Sequence, residues 1–528
     1  MTITETQLDL LNDLSIKKQI IPKIDTCITK HGSQKLKEYV NIIVGDVNIL
    51  NKKKAILEYI LKNNTEKNNI KKILRKFNNR HSIIDKWLYD DPCKDLHFEQ
   101  EMFNKSMLLT FSNKMKFISV MIYPLIYLTI FGVMKYFGIQ IDLTDYIKSL
   151  YYGYLNTIKF LLSLIISGSA LIYLVSHALS VLYCLYQIYS LYNTFNNGIL
   201  HYKKCSSIDS DFKEIGQSIK LLKNILNSNI FQNIKNNLDL HNYSQDLIID
   251  VCDSFDNKSL GEMILLHYNK PYKKKLLDIL DFIGHIDAQI CISEMINFGY
   301  TLPQYELYEK PFVIATDIFH PSLCIKSQIK NSVIISDPNL IIITGPNKAG
   351  KSTFMKSLLL SIFLAQTLGV TCCKNLVFTP FVDIYTYLNV PDSIGRESLF
   401  EAEINRCFNF YNKIKSLKAN EYVFCIIDEL FTGTNPPEGI SSSFAICKKL
   451  TECKNSIICV STHFYDICTI PNVIYKKFIA NKINHKYHFP YKICDGISDQ
   501  YIAIDLLKEK GYDGDIIDCA LDKLKQLN

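Results

Sequence analysis

Along roughly the first 112 residues, apolar positions recur at helical spacing on a polar background, as in LNDLSIKKQIIPKID, SQKLKEYVNIIV and KKKAILEYILKN, and glycine is rare. This pattern predicts a row of amphipathic helices. The same period returns after residue 206, where Ile208, Phe212, Ile215, Ile219 and Leu222 share one face, and a second long helix is predicted from Lys273 to Ile296. From residue 311 onward, apolar runs alternate with helical patterns. That alternation predicts a parallel, doubly wound sheet.

Two stretches break the pattern. Phe117 to Met134 is 18 residues without a charge, and Phe160 to Tyr186 is 27. Both reach the length needed to cross hydrocarbon. They are either buried core helices or a transmembrane hairpin. A run of 27 uncharged residues with no solvent-facing stripe favours the hairpin. Lys114 and Lys116 before the first stretch, and Lys203 and Lys204 after the second, agree with both ends lying on one side. The pattern therefore predicts a membrane location, anchored through 117–134 and 160–186, with His177 packed inside the second span.

Length and charge narrow the picture only slightly. A chain of 528 residues suggests two to four domains. A net charge of +7 with no dense Lys/Arg block permits nucleic-acid binding without indicating it. The 17 cysteines form no C-x-x-C pairs, and the six-residue spacing of Cys447, Cys453 and Cys459 suits neither a zinc knuckle nor one helix face. They are expected to be reduced, mostly buried thiols facing a cytosol-like compartment. The first 25 residues lack the apolar run of a secretory signal peptide.

The chemistry lies in three strand-ending segments. In LIIITGPNKAGKST, residues 340–353, an apolar strand runs into Gly345, Pro346, Asn347, Lys348, Ala349, Gly350, Lys351, Ser352 and Thr353. This fits G-x-x-x-x-G-K-[ST], the phosphate-binding loop. The glycines let backbone N–H groups face phosphate oxygens, and the helix from Ser352 aims its positive end at them. Lys351 is expected to reach the β- and γ-phosphates of ATP, and the Ser352 hydroxyl to ligate Mg²⁺. In FCIIDELFTGTNPPEG, residues 424–439, a second apolar strand ends on Asp428, a Mg²⁺ carboxylate, and Glu429, which orients or deprotonates the attacking water. In SIICVSTHF, residues 456–464, a third strand ends near His463, placed to sense the γ-phosphate.

The surrounding residues choose among nucleotide hydrolases. Asp428-Glu429-Leu430 followed by Gly433-Thr434-Asn435 and Glu438-Gly439 resembles the signature of the MutS family of DNA mismatch-repair ATPases. Thr344-Gly345-Pro346-Asn347, His320-Pro321, Ser398-x-Phe400-x-x-Glu403, Thr462-His463 and the tail from Gly496 fall in the same family order. More faintly, IDTCITKHGSQKLKEYV is similar to the start of that family's helical lever, and residues 276–296 to the helix joining lever and ATPase. The resemblance implies a homodimer with composite sites, in which Gly433, Thr434 and Asn435 approach the partner's γ-phosphate, and DNA as a ligand. There are departures. Phe431 and Thr432 replace the family's Gly-Arg, Asn435 stands where serine is usual, and no Gly-x-Phe-x-Glu stretch supplies a mismatch reader.

The expected architecture is an α/β P-loop ATPase domain with a mostly parallel sheet at 306–528, preceded by an all-α lever-like region. That region divides into a helical segment at 1–112, the hairpin at 113–192 and a connector at 193–305. A MutS-type ATPase acting on DNA and a nucleotide-gated membrane scaffold acting on a protein partner both fit. A transporter does not, since no Leu-Ser-Gly-Gly-Gln precedes Asp428 and one hairpin is too little for a transport path.

Overall fold

The computed structural model describes residues 5–89, 170–240 and 269–527, apart from 325–327, 389–398, 484–485 and 501, together with residue 266 and scattered positions between 129 and 156. The chain forms two compact units. One comprises residues 1–75, 225–243 and 280–528, the other 76–224 and 244–279.

The helices of the amino-terminal half are α1 (Glu5–Asp13), α2 (Ile21–Ile24), α3 (Lys30–Val40), α4 (Val47–Lys62), α5 (Asn64–Asn78), α6 (His81–Tyr89), α7 (Ala170–Leu226), α8 (Asn229–Asn237) and α9 (Lys270–Glu294). Caps account for several starts. The Thr29 hydroxyl accepts from the Gly32 N–H ahead of α3, and the Asp46 carboxylate accepts from Asn48 and Ile49 ahead of α4. In the second unit, Phe212, Ile215, Ile219 and Leu222 of α7 are buried, as their spacing predicts, and Trp87 of α6 meets the Phe212 ring edge-on at 6.3 Å.

The membrane expectation is corrected. Among the described residues, no helix is long and apolar enough to cross a membrane. Nearly all of 117–134, and 160–169, lie outside the described residues. The rest of the second stretch, 170–186, is not a separable span. It is the beginning of a single 57-residue helix that continues through Asn193, Asn196, Lys203, Lys204 and Asp209. An uncharged run can open a long, increasingly polar helix as readily as it can cross a bilayer, and charge counting does not distinguish the two.

In the carboxy-terminal half, a six-stranded sheet has the order β12-β9-β4-β8-β7-β6. Its members are β4 (Leu340–Thr344), β6 (Asp383–Tyr387), β7 (Val423–Asp428), β8 (Ser456–Ser461), β9 (Ile474–Phe478) and β12 (Ile493–Asp495). All neighbours are parallel except β12 against β9. A smaller mixed sheet, β1-β5-β2-β3, is built from β1 (Gln304–Tyr305), β2 (Val313–Ile318), β3 (Asn331–Ile335) and β5 (Asn375–Phe378), and β10 (Asn481–Ile483) pairs with β11 (Lys486–His488). The helices are α10 (Lys351–Thr367), α11 (Leu399–Lys415), α12 (Pro436–Leu450), α13 (Ala503–Glu509) and α14 (Gly514–Leu527). Both faces of the central strands are covered, so β4 and β8 are buried along their whole length. Helix α10 reads apolar on nearly every side for the same reason, because it packs against β2 of one sheet and β7 and β8 of the other.

Two polar locks bind the amino-terminal helices into this unit. Fully buried Gln366 on α10 donates to the carbonyls of Val44 (2.8 Å) and Phe381 (2.7 Å) and accepts from the Phe381 N–H (3.1 Å). Buried Asp287 on α9 accepts from the N–H groups of Ile28 (3.1 Å) and Thr29 (2.6 Å) and from the Thr29 hydroxyl (2.7 Å). Replacing Gln366 by methionine keeps the volume but strands two carbonyls and one N–H. Stability should fall by roughly 2–4 kcal/mol, read as a lower denaturant midpoint of the Gln366→Met protein.

Candidate nucleotide site

Strand register assembles the site. Ile343 of β4 stands opposite Ser461 of β8, and Asp428 of β7 stands opposite the same residue, so three loops leave the sheet side by side. The loop after β4 is tight. Gly345 has φ +143°, and a Cβ there would lie 2.6 Å from the Phe478 carbonyl. Gly350 has φ +107°, with Tyr491 against its α-carbon. Buried Lys351 closes the loop on itself, its ammonium donating to the carbonyls of Gly345 (2.9 Å) and, more weakly, Pro346 (3.4 Å). Burial pushes its pKa below that of an ordinary lysine, and Glu429 and Asp428 pull it back up. Ala349 is buried, Ser352 half-buried, and Asn347, Lys348 and Thr353 are exposed.

The acid pair faces this loop. Asp428 is held by a hydrogen bond from the Ser461 hydroxyl. Glu429 and Phe431 both adopt left-handed backbone, φ +58° and +57°. Such strain is costly for side chains with a Cβ and gathers at functional turns. The turn aims Glu429 at His463, whose Nε2 lies 2.7 Å from Glu429 Oε1 and 3.2 Å from Lys351 Nζ. One nitrogen cannot donate to the carboxylate and accept from the ammonium at once. The His463 hydrogen bond, the largest influence on Glu429, holds its carboxyl below the usual value of 4.5, so the group is ionised and Nε2 carries the proton. The Lys351 contact is then electrostatic.

The loop of Gly433, Thr434 and Asn435 projects from this centre, with Gly433 and Asn435 exposed. The Gly433 N–H donates to Glu403 of α11 at 3.4 Å, and Gly439 sits so close to the Phe431 carbonyl that a Cβ would approach it to 2.6 Å. Burial raises the Glu403 pKa, and the Gly433 N–H opposes that rise.

Residues 341–528 match the family model of MutS domain V. Over these residues the chain is similar to the MutS family. Over 268 residues, 49% of this chain and 32% of the relative, the sequence is 25% identical to the DNA mismatch repair protein MutS of Thermotoga maritima. The corresponding protein of Thermotoga neapolitana is 26% identical over 45% of this chain and 30% of its own. The DNA mismatch repair protein MSH3 of Candida glabrata is 23% identical over 304 residues, 54% of this chain and 28% of its own. The chain thus covers about a third of the length of the curated relatives it matches.

The MutS-type motifs were all visible in sequence, but part of the site was not. A cavity of about 210 Å³ opens beside the phosphate loop, lined by His320, Ile329, Asn331, Gly350, Thr353 and Tyr491 among others. Asn331 shapes it by donating to the Tyr491 carbonyl (2.9 Å) and accepting from the Ile493 N–H (3.0 Å). Nothing in the spacing of these residues joins β3 to residues 491–493. His320, singled out with Pro321, is neutralised further by burial, which lowers its pKa.

The depressed Glu429 pKa has a sign that can be tested. Its contribution to stability is present above the unfolded value near 4.5 and is lost as pH falls through the lower folded value. Removing the imidazole in His463→Ala should move the Glu429 titration upward, toward 4.5, in carboxyl-selective ¹³C NMR. An unmoved titration would mean that His463 does not set the charge of this acid.

Proposed function

We propose that this protein is a Mg²⁺-dependent ATPase of the MutS type whose nucleotide cycle acts on DNA in a mismatch-repair-like role. The observation that carries the reading is the convergence of Lys351, Asp428, Glu429 and His463 on one strand edge, within a few ångströms of the phosphate loop. Phosphoryl transfer needs positioning and charge neutralisation more than covalent help. The backbone N–H groups of Asn347 to Thr353 and the Lys351 ammonium would receive the phosphates. On binding, Lys351 exchanges its loop carbonyls for phosphate oxygens, and the phosphates' negative charge raises its pKa again.

The all-oxygen donor set of Ser352 and Asp428 suits a hard cation such as Mg²⁺, and the Ser461 hydroxyl orients the carboxylate for it. Bound there, Mg²⁺ would supply neutralisation of phosphate charge. Glu429, kept ionised by His463, would orient the attacking water and accept its proton. The cavity against Gly350 and Tyr491 has the position of a base pocket, with the Tyr491 ring as a stacking surface. Gly433, Thr434 and Asn435 would complete a neighbour's site in a homodimer, Asn435 offering an amide donor.

Lys351→Ala should weaken ATP binding at least roughly tenfold, since a buried charge-assisted contact is lost. Glu429→Gln should bind ATP normally and fail to turn it over. Wild-type turnover by Glu429→Gln would remove the role given to the acid pair.

Dependence on DNA and on dimerisation is separable from this. Specific ATPase activity of the full chain should rise with protein concentration until dimer saturates, and should respond to duplex DNA more strongly at low salt than at high salt. Activity indifferent to DNA at every salt concentration would leave the ATPase standing and discard DNA as its ligand. Concentration-independent activity from a monomer would discard the composite site.

A further inference from the structure

Away from the nucleotide site, three metal-ligating side chains meet where the amino-terminal helices join α9. Asp25, Cys27 and Cys291 place a carboxylate oxygen and two sulfurs within 4.8 Å of one another. Around an ion with ordinary Zn–S and Zn–O bond lengths, the edges of a tetrahedron measure roughly 3.3–3.8 Å. The three atoms therefore need to close by at most about 1.5 Å.

The surroundings hold them there. Asp25 ends α2, its N–H bonded to the Ile21 carbonyl, and its Oδ1 accepts from the Cys27 N–H (3.2 Å) and the Ser33 hydroxyl (3.0 Å). Cys291 is 2% exposed, and its sulfur accepts from the Thr26 N–H and hydroxyl, both at 3.3 Å. Donors of this kind are the outer partners that stabilise a thiolate ligand. Asp25 and Cys27 are half-buried, which gives an ion a way in. Asp287, one turn earlier on α9, is already engaged by Ile28 and Thr29 and stands outside the set.

We propose that Asp25, Cys27 and Cys291 form a zinc(II) site, with solvent in the fourth tetrahedral position. A simple buried thiol pair, or a disulfide, would account for the two sulfurs alone, whereas Asp25, already fixed by the Cys27 N–H and the Ser33 hydroxyl, sets an oxygen ligand beside both. Two protons leave on binding: the one shared between the hydrogen-bonded thiols of Cys27 and Cys291, and the one Cys291 directs at the Ile24 carbonyl (3.2 Å). Both pass to the buffer. The bound ion would tie the loop before α3 to α9, at the joint that Asp287 already secures. It would thereby stabilise the folded unit by mass action.

The test uses the full chain, reduced and freed of metal, titrated with cobalt(II) as a spectroscopic stand-in and then with zinc(II). One equivalent of cobalt should produce a thiolate-to-metal charge-transfer band that zinc abolishes. The band should disappear in Cys27→Ser, and in Asp25→Asn cobalt should bind at least roughly tenfold more weakly. It should persist in Cys324→Ser and Cys494→Ser, whose thiols are exposed elsewhere. Since a buried substitution can simply unfold the chain, the wild-type protein provides a second reading. One equivalent of zinc should protect Cys27 from alkylation, measured peptide by peptide, and raise the unfolding temperature. Cobalt binding unchanged in Cys27→Ser, no zinc protection of Cys27, or a Cys27–Cys291 disulfide in place of any metal binding would each overturn the proposal.

Discussion

Ile343 of β4 and Asp428 of β7 both lie opposite Ser461 of β8, and everything in the nucleotide site follows from that register. The phosphate loop, the acid pair and His463 come from three separate segments of chain, and only parallel pairing with these partners delivers them to one edge. A shift of one residue in β7 would turn Asp428 to the opposite face of the sheet. The Ser461 hydroxyl turns this alignment into a direct bond on the carboxylate. Burial along the whole of β4 and β8 makes the register expensive to change, because any slip forces both closely packed faces to repack.

Charge within the site is arranged around a partly desolvated lysine. Lys351 is 5% exposed and is held by backbone carbonyls with their lone pairs already in place. Burial weakens the charged form, and the two acids restore it. Glu429 in turn depends on His463, whose proton cannot serve both the acid and the lysine. The three groups form a balanced set, in which the charge of Glu429 depends on the other two. The left-handed backbone at Glu429 and Phe431 shows that the chain accepts local strain to hold this set in place.

The phosphate loop was legible because its residues are contiguous and its flanking strand and helix have unmistakable periods. Asp428 and Glu429 were legible for the same reason. Glu403 was visible only as part of a family pattern, and its bond to the Gly433 N–H emerged from the fold. Tyr491, Asn331, Asp287 and the Cys27–Cys291 pair were not legible as partners, since each depends on segments far apart in sequence. The membrane hairpin failed differently. Residues 160–186 truly lack charge, but the helix that begins at Ala170 continues to Leu226 as one element, and hydropathy alone does not mark where a span should end.

Helix α1 reaches the Gly433–Asn435 loop through α11. On α11, Glu403 and Arg406 are three residues apart and so lie on one side of the helix. Glu403 accepts from the Gly433 N–H, and Arg406 bonds Asp13 of α1 at 2.7 Å and the Thr386 hydroxyl at 3.2 Å. Burial raises the Asp13 pKa even against the adjacent guanidinium, so this ion pair returns little stability for what its desolvation costs. What it does supply is position. With Arg406 fixed to α1 and Thr386 of β6, α11 cannot rotate without breaking a buried pair, and Glu403 stays aimed at Gly433. A displacement of the Gly433–Asn435 loop is therefore resisted by α1 as well as by the sheet, which ties α1 mechanically to the phosphate-loop sheet.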